Sequence, residues 1–248
     1  MKTLLLLGSG GLLGNAIRWA YGQLKNPNYS LLSVYRHHAN LLNTNEVAEL
    51  FKQGKPNYVI NVAAKVYGIG GNLKKPAELF YENTLINTNV IHQCYVHNVE
   101  KLISCSSICS MPDSIPVMKE DLMYDGPCYW ANEFYGWTKR AIDVQIRAYK
   151  KQYGVENYCS VIPANLFAEG DLYNPELGHI IPSLIYKLYH AKKNKLPFIV
   201  WGNGESTREF IYAKDAARFI LQVLDLDKLP ERVLISSKQQ TTIKEVVH

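Results

Sequence analysis

The residues that could do chemistry begin with a tyrosine and a lysine four positions apart. Tyr135 and Lys139 occur in the stretch YGWTK, and residues spaced i and i+4 share one face of a helix. An ammonium group beside a phenol favours the phenolate and lowers the phenol pKa from ~10. Such a tyrosine could transfer a proton to a developing alkoxide. A surface pair on an amphipathic helix is the alternative, so the elements that position the pair matter.

Those elements are strands and helices that alternate along the chain. The runs TLLLLG, LLSVY, YVINVAA, KLISCS and YCSVIP are continuously apolar, which is typical of parallel strands covered on both faces. The helix that carries Tyr135 is predicted to begin at Asn132, as a cap, and to end at Tyr153 before Gly154. We therefore predict an α/β fold built on a doubly wound parallel sheet.

A glycine loop lies between the first strand and the first helix. Gly8, Gly11 and Gly14 form the pattern G-x-x-G-x-x-G, which permits a tight turn and lets backbone N–H groups at a helix N-terminus approach a pyrophosphate. A turn with close helix packing would use the same glycines. The position of the loop after the first strand of an α/β pattern favours a dinucleotide site.

The residue after the second strand indicates which dinucleotide is bound. An NAD site places an acid there for the ribose 2′-hydroxyl, whereas this strand is followed by Arg36, His37 and His38, with no acid before Glu46. A cation at this place would neutralise a 2′-phosphate. The sequence therefore predicts NADP(H), with a solvated surface arginine as the alternative.

The region after Pro163 is less regular. A helix near 179–192, a strand FIVWG, a helix DAARFILQVL and a strand VLISS are predicted there. We expect residues 1–163 to form a Rossmann-type NADP-binding domain. Residues 164–248 are expected to combine a small substrate cap with the remaining sheet elements.

Composition excludes several classes of protein. The formal charge of +5 comes from scattered basic residues, which predicts no nucleic-acid partner and is compatible with an anionic small substrate. Five cysteines without CxxC spacing favour reduced thiols and a cytoplasmic location. The start MKTLLLLGSGG has too short an apolar run for a signal peptide, and no stretch approaches the ~20 apolar residues that span a bilayer. No metal site is predicted.

Several motifs together resemble the extended short-chain dehydrogenase/reductase family. The resemblance is carried by the glycine loop, the strand end NVAAKV, Ser107 after the fourth strand, and the Tyr135–Lys139 pair. Longer stretches are similar to those of the GDP-L-fucose synthases within it: NVAAKVYGIGGN, SSICSMP, VIPANLF, HIIPSLI and VWGNGESTREFIYAKDAA. This similarity covers essentially the whole chain.

The resemblance implies roles for five catalytic residues. Ser107 would orient the substrate carbonyl or alcohol, Tyr135 would transfer the proton, and Lys139 would bind the nicotinamide ribose and tune Tyr135. Cys109 and His179 fall at the positions of the family's acid–base pair, which inverts C3 and C5 of the sugar. A thiol and an imidazole can both exchange protons near neutrality. Without the resemblance, a buried structural cysteine and a helix-end histidine would be the usual interpretations.

The resemblance also implies binding residues. The cofactor would contact Gly8, Gly10, Gly11, Leu12, Leu13, Gly14, Arg36, Ala63, Ala64, Lys139, Pro163, Asn165, Leu166 and His179. The GDP-sugar would contact Lys187, Trp201 and Arg208, because cations suit a diphosphate and an indole can pack on a base or sugar. For Trp201, a place in the core is the alternative.

The sequence departs from the family pattern at three places. Gly10 stands where the family carries a basic residue, so Arg36 would provide most of the 2′-phosphate recognition. The register of the serine rests on counting back from Pro112, which leaves Ser106 as the alternative to Ser107. Family members continue for several dozen residues beyond the position of His248, so the substrate cap is expected to be incomplete.

The resemblance implies the activity of an NADPH-dependent epimerase/reductase that converts GDP-4-keto-6-deoxymannose to GDP-L-fucose. Related 4,6-dehydratases carry an Asp–Glu pair just after the serine, whereas this chain has Ile108 and Cys109. The alternatives are an enzyme for another 4-keto nucleotide sugar and a non-catalytic nucleotide-binding homologue. The resemblance further implies a homodimer.

Overall fold

The computed structural model describes residues 1–115 and 117–248. The helices are α1 (Leu12–Tyr21), α2 (Thr44–Gly54), α3 (Ile69–Lys74), α4 (Pro76–Val96), α5 (Glu133–Tyr153), α6 (Ile180–Asn194), α7 (Ala213–Asp225) and α8 (Ile243–Val247). The strands are β1 (Lys2–Leu7), β2 (Tyr29–Val34), β3 (Tyr58–Asn61), β4 (Lys101–Cys105), β5 (Tyr158–Pro163), β6 (Asn165–Phe167), β7 (Thr207–Tyr212), β8 (Arg232–Ile235) and β9 (Gln240–Thr242).

Six strands form the main sheet, in the order β2-β1-β3-β4-β5-β8. Every neighbouring pair in this sheet is parallel. The strands β2 and β3 lie on opposite sides of β1, so the chain reverses its direction across the sheet there, which defines a doubly wound sheet with a switch point. The predicted α/β fold class is therefore confirmed.

The interior strand β1 shows why the predicted strands are continuously apolar. Leu4 and Leu6 point into a core shared with α1 and α7, whereas Leu5 and Leu7 point into a second core shared with α2, α4 and α5. All four side chains are fully buried. Since successive strand residues face opposite sides, a strand with helices on both faces has no solvent side left for polar residues.

The region after β5 contributes strands to both sheets of the molecule. Strand β8 completes the main sheet beside β5, while β6, β7 and β9 form a separate three-stranded sheet. The predicted strand FIVWG is wrong: residues 198–202 form no strand, and Ile199 and Trp201 are both 65% exposed. The division into two parts at residue 163 stays a prediction. Strand β8 comes after this residue in the chain and belongs to the main sheet.

Candidate active site

A cleft of about 470 Å³ lies at the carboxyl ends of the main-sheet strands. This edge is where open α/β sheets bind ligands. The predicted residues that line the cleft are Gly11, Leu12, Leu13, Gly14, Ala64, Ser107, Cys109, Tyr135, Lys139, Pro163, Asn165, Leu166, His179, Lys187, Trp201 and Arg208. Gly8, Gly10, Arg36 and Ala63 do not line it.

The glycine loop is built as a close approach between backbone segments. Gly8 has a φ of +84°, and a Cβ placed there would lie 2.7 Å from the backbone nitrogen of Ala63. A Cβ on Gly14 would lie 2.1 Å from the carbonyl oxygen of Gly8. Gly11 starts α1 without any side-chain cap, and the first turn carries no acid. The free N–H groups and positive end of this helix therefore fit a diphosphate.

Arg36 lies outside the cleft, in the turn after β2, and is exposed. The neighbouring Tyr35 ring is the nearest group to a Cβ built on Gly10, at 3.4 Å, which puts this turn beside the glycine loop. The guanidinium of Arg18 lies 5.4 Å from the centroid of the Tyr35 ring. Arg18 is a second cation at this end of the loop that the sequence interpretation missed.

The two candidate serines have different surroundings. The buried Ser106 hydroxyl donates to the carbonyl oxygen of Lys139 at 3.0 Å, so it fastens β4 to α5. The Ser107 hydroxyl accepts from the backbone N–H of Cys109 at 3.2 Å. Ser107 also lies close enough to Tyr135 for its hydroxyl to act to lower the pKa of that phenol. The structure therefore favours Ser107 over Ser106 as the serine that orients a substrate.

Tyr135 and Lys139 lie on one face of α5 as predicted, with the Lys139 Nζ 5.7 Å from the centroid of the Tyr135 ring. The expected lowering of the phenol pKa is wrong for this structure. Burial raises the pKa of Tyr135 well above its ordinary value, and the nearby Cys109 and Cys105 add to the rise. Burial also lowers the pKa of Lys139, whose ammonium donates to the carbonyl oxygen of Cys105 at 2.8 Å. Desolvation thus outweighs the attraction between ammonium and phenolate.

Cys109 lies in a short 3₁₀ turn after β4, opposite the start of α5. The Asn132 side chain does not cap α5 but donates to the Cys109 sulfur at 3.4 Å. Asn72 holds this amide in place by donating to its side-chain oxygen, Oδ1 of Asn132, at 2.7 Å. Burial raises the pKa of the Cys109 thiol, while hydrogen bonds from Ser107 and Asn132 act to lower it. The sequence interpretation gave Asn132 only as a helix cap and did not name Asn72, because both residues lie 23 positions or more from the thiol in sequence.

His179 immediately precedes α6 and lines the same cleft as Cys109. Its Nδ1 lies 3.4 Å from Oδ2 of Asp171, whose side chain is 8% exposed. The His179 side chain is 40% exposed. Asp171 was not predicted, since nothing in a loop sequence marks a residue eight positions away as a partner.

The three predicted substrate residues lie in the cleft lining, and two of them, Lys187 and Arg208, are cations. The Lys187 Nζ lies 3.7 Å from the centroid of the Trp201 ring, a cation–π contact. Burial lowers the pKa of Lys187. The positive charge of Arg208 acts to lower the pKa of the Cys109 thiol, so this guanidinium is close enough to affect the site. The interpretation of Trp201 as a core aromatic is wrong, because 65% of it is exposed.

The remaining predicted positions lie where β5 continues into β6. Pro163 ends β5 and Asn165 begins β6. The Asn165 amide donates to the carbonyl oxygen of Glu209 at 2.9 Å, which joins β6 to β7. No cluster of metal-ligating side chains occurs within residues 1–115 and 117–248, and no helix in these residues is long and apolar enough to cross a membrane.

A doubly wound sheet with an uncapped glycine turn and a buried Tyr-x-x-x-Lys pair defines a dinucleotide-binding α/β protein. The chain belongs to the NAD-dependent epimerase/dehydratase family, whose profile matches residues 4–236.

Individual relatives narrow the resemblance. The GDP-L-fucose synthase of Dictyostelium discoideum is 36% identical over 225 residues, which are 90% of this chain and 70% of that protein. A probable GDP-L-fucose synthase of Drosophila melanogaster is 35% identical over 257 residues, covering 99% of this chain and 79% of that protein. A crystal structure of a GDP-L-fucose synthetase from Naegleria fowleri bound to NADP matches with a TM-score of 0.88 at 30% identity, covering 99% of this chain and 80% of that one. The resemblance predicted from the motifs is confirmed.

Proposed function

We propose that this chain is an NADPH-dependent epimerase/reductase that converts GDP-4-keto-6-deoxymannose to GDP-L-fucose. The observation that carries the proposal is the convergence of a phenol, a thiol and an imidazole on one cleft: Tyr135, Cys109 and His179 all line it. Its relatives named as GDP-L-fucose synthases support the same assignment.

Epimerisation needs two groups that exchange protons with carbons next to a ketone. The C3 and C5 protons of a 4-keto sugar are weakly acidic because the ketone delocalises the resulting carbanion as an enolate. One of Cys109 and His179 would accept a proton from one face of the ring, and the other would return a proton to the opposite face. The amide of Asn132 would stabilise the sulfur when it carries negative charge.

Reduction at C4 uses the other group of residues. NADPH would supply the hydride, and Tyr135 would donate its proton to the oxygen at C4. A phenol whose pKa is raised by burial is fully protonated at neutral pH, so it is in the form needed to donate. Ser107 would orient the carbonyl oxygen, and Lys139 is held beside the phenol by the carbonyl of Cys105.

The binding residues fit the two nucleotides. The N-terminus of α1 and the glycines around Gly14 would hold the cofactor diphosphate, and Arg36 with Arg18 would hold the 2′-phosphate. Ala64, Pro163, Asn165 and Leu166 would line the rest of the cofactor site. Lys187 and Arg208 would neutralise the GDP diphosphate, with Trp201 packing on the base or sugar.

The test is incubation with GDP-4-keto-6-deoxymannose and NADPH in deuterium oxide, read by mass spectrometry and proton NMR. We expect GDP-L-fucose with deuterium at C3 and C5. Tyr135→Phe should abolish reduction while exchange continues, and Cys109→Ala should stop the exchange. Normal turnover by Tyr135→Phe, or unchanged exchange by Cys109→Ala, would remove that residue from the mechanism.

The same assay separates the rival functions. Turnover of a different 4-keto nucleotide sugar in a panel, without turnover of GDP-4-keto-6-deoxymannose, would assign another substrate. Binding of NADPH without turnover of any keto-sugar would indicate a nucleotide-binding homologue.

We also propose a homodimer, formed through α4 and α5, which pack side by side. These helices expose Tyr81, Phe80, Trp137 and Val144, an apolar set that a second copy would cover. Multi-angle light scattering would test it, and a mass of one chain at micromolar concentration would count against it. The five free cysteines support a reducing, cytoplasmic location.

A further inference from the structure

A buried carboxylate faces the imidazole that the proposed mechanism uses. We propose that Asp171 is a positioning residue that fixes the orientation and tautomer of His179, so that Nε2 is the nitrogen that exchanges protons with the sugar. The inference rests on the proposed function for the role of His179, but the contact itself can be tested without turnover.

The carboxylate is built to stay charged. One oxygen, Oδ1, accepts from the backbone N–H of Leu172 at 2.7 Å, and the other, Oδ2, lies 3.4 Å from His179 Nδ1. Burial acts to raise the pKa of Asp171, but the hydrogen bonds with His179 and Leu172 hold the pKa below its ordinary value. A nearly buried anion requires a hydrogen-bond donor. The imidazole therefore carries its proton on Nδ1, which leaves Nε2 unprotonated and able to accept a proton that it can later return.

The distance of 3.4 Å is longer than the usual 2.7–3.2 Å for an N–H···O hydrogen bond. Catalytic hydrogen bonds are often long until a substrate is bound and then tighten. His179 also has extended backbone at the N-cap position of α6 and makes no capping hydrogen bond. Among the described residues, Asp171 is the polar side chain that restrains this imidazole.

The loop between the two residues closes on itself, which sets their separation. The side-chain oxygen of Asn174 accepts hydrogen bonds from the backbone N–H groups of Glu176 and Leu177, at 2.9 and 2.8 Å. The backbone N–H of Gly178 donates to the backbone oxygen of Asn174 at 3.1 Å. A Cβ on Gly178 would lie 2.3 Å from the backbone oxygen of Leu172, so the two ends of the loop are in direct contact.

The same loop is docked on the turn before α3. The backbone N–H of Gly68 donates to the oxygen of Leu177 at 2.8 Å. A Cβ on Gly68 would lie 2.2 Å from the oxygen of Gly178, the residue next to His179. The position of His179 is thus fixed by backbone packing, while the direction of its ring depends on Asp171.

The direct test is the imidazole tautomer, measured by ¹⁵N NMR on protein labelled at histidine. The His179 signals are assigned by their loss in His179→Gln. We expect wild type to show Nδ1–H with Nε2 unprotonated at high pH, and Asp171→Asn to change this ratio because an amide can also donate to Nδ1. Asp171→Glu, which keeps the carboxylate, should retain the wild-type tautomer. An identical tautomer ratio in Asp171→Asn would overturn the proposal.

The kinetic test separates positioning from binding. Asp171→Asn should lower kcat for deuterium exchange at C3 and C5 by about 100-fold, since a positioned acid or base contributes ~10²–10⁴-fold. The KM for the sugar nucleotide and the Kd for NADPH should change by less than about threefold. Lys74→Gln is the control, because Lys74 does not line the cleft and the change removes only an exposed ion pair with Glu176 of the same loop. Equal losses in kcat for the control and for Asp171→Asn would overturn the positioning role.

The two tests distinguish this inference from the proposed function. If wild type turns over no keto-sugar, the proposed function fails, and a tautomer change in Asp171→Asn still establishes the contact. If Asp171→Asn does not fold, Asp171→Glu provides the test: a wild-type tautomer with kcat reduced less than about 100-fold supports the proposal, and a changed tautomer overturns it.

Discussion

Gly136 lies next to Tyr135 on α5, at the point where the helix touches the Cys109 turn. A Cβ at this position would lie 2.3 Å from the backbone oxygen of Cys109 and 2.9 Å from the sulfur of Cys128. Ordinary contacts begin at 3.4 Å, so Gly136→Ala must displace the Cys109 backbone by about 1 Å if the helix stays in place. A displacement of ~1 Å in a catalytic group can reduce the rate by ~10²-fold.

The stability of Gly136→Ala should change much less than its activity. Overpacking of a core costs about 1–3 kcal/mol, and replacing a helical glycine by alanine returns up to about 1 kcal/mol. We therefore expect a net loss of about 0–2 kcal/mol in the free energy of unfolding, a folded protein, and exchange at C3 and C5 slower by about 100-fold. Binding of NADPH should be within about threefold of wild type, because the glycine loop lies on a different element.

The assay is the rate of deuterium incorporation into GDP-4-keto-6-deoxymannose, with urea unfolding and NADPH fluorescence measured on the same preparations. Gly22→Ala is the matched control, because the nearest atom to its Cβ would be the Trp19 oxygen at 3.4 Å. Exchange by Gly136→Ala within about threefold of the control would refute the argument that close packing on α5 positions the thiol.

Three further predictions follow from the cation near the cofactor site, the thiol and a buried ion pair. Arg36→Ala should weaken NADPH binding by about tenfold or more, since a hydrogen bond to a charged group contributes ~1.5–3 kcal/mol; an equal change in NADH binding would contradict this. Alkylation of Cys109 by iodoacetamide should be slow at pH 7 and still rising past pH 9, because burial raises the thiol pKa and the neutral form is unreactive; a plateau below pH 8 would count against it. Asp143, fully buried, accepts from Arg232 at 2.8 and 3.1 Å; Asp143→Asn should lower the free energy of unfolding by about 3 kcal/mol, against less than about 0.5 kcal/mol for the exposed Asp215→Asn, both from urea unfolding.

Most of the fold could be predicted from local sequence patterns, namely apolar runs and a glycine cap. The apolar run from Leu4 to Leu7 fills two cores on opposite faces of the sheet. Because helices cover both faces, apolar and polar residues do not alternate along this strand. Helix α5 stops at Gly154, whose φ of +72° is the left-handed conformation expected of a glycine cap. The predicted strand FIVWG was wrong because this segment pairs with no neighbouring strand, and its Ile199 and Trp201 side chains stay exposed.

Other properties of the site depend on residues that are distant in sequence. Asn132 has the residue type of a helix cap, yet its amide is taken up by Cys109 and Asn72. Its side chain makes no capping hydrogen bond to α5, because it is hydrogen bonded to a thiol and an amide that only the fold brings within reach. The sequence interpretation also missed Arg18, whose position beside Tyr35 depends on how α1 packs beside β2.

The sequence by itself determined which apolar runs become strands, where the glycine turn lies, and that a tyrosine and a lysine share one helix face. The tertiary structure decided how strongly the tyrosine and the lysine hold their protons. The spacing of Tyr135 and Lys139 fixes the attraction between their charges, but their burial fixes the desolvation that opposes it, and here desolvation is the larger effect. Burial is a property of the whole packed chain, which is why no stretch of sequence could specify it.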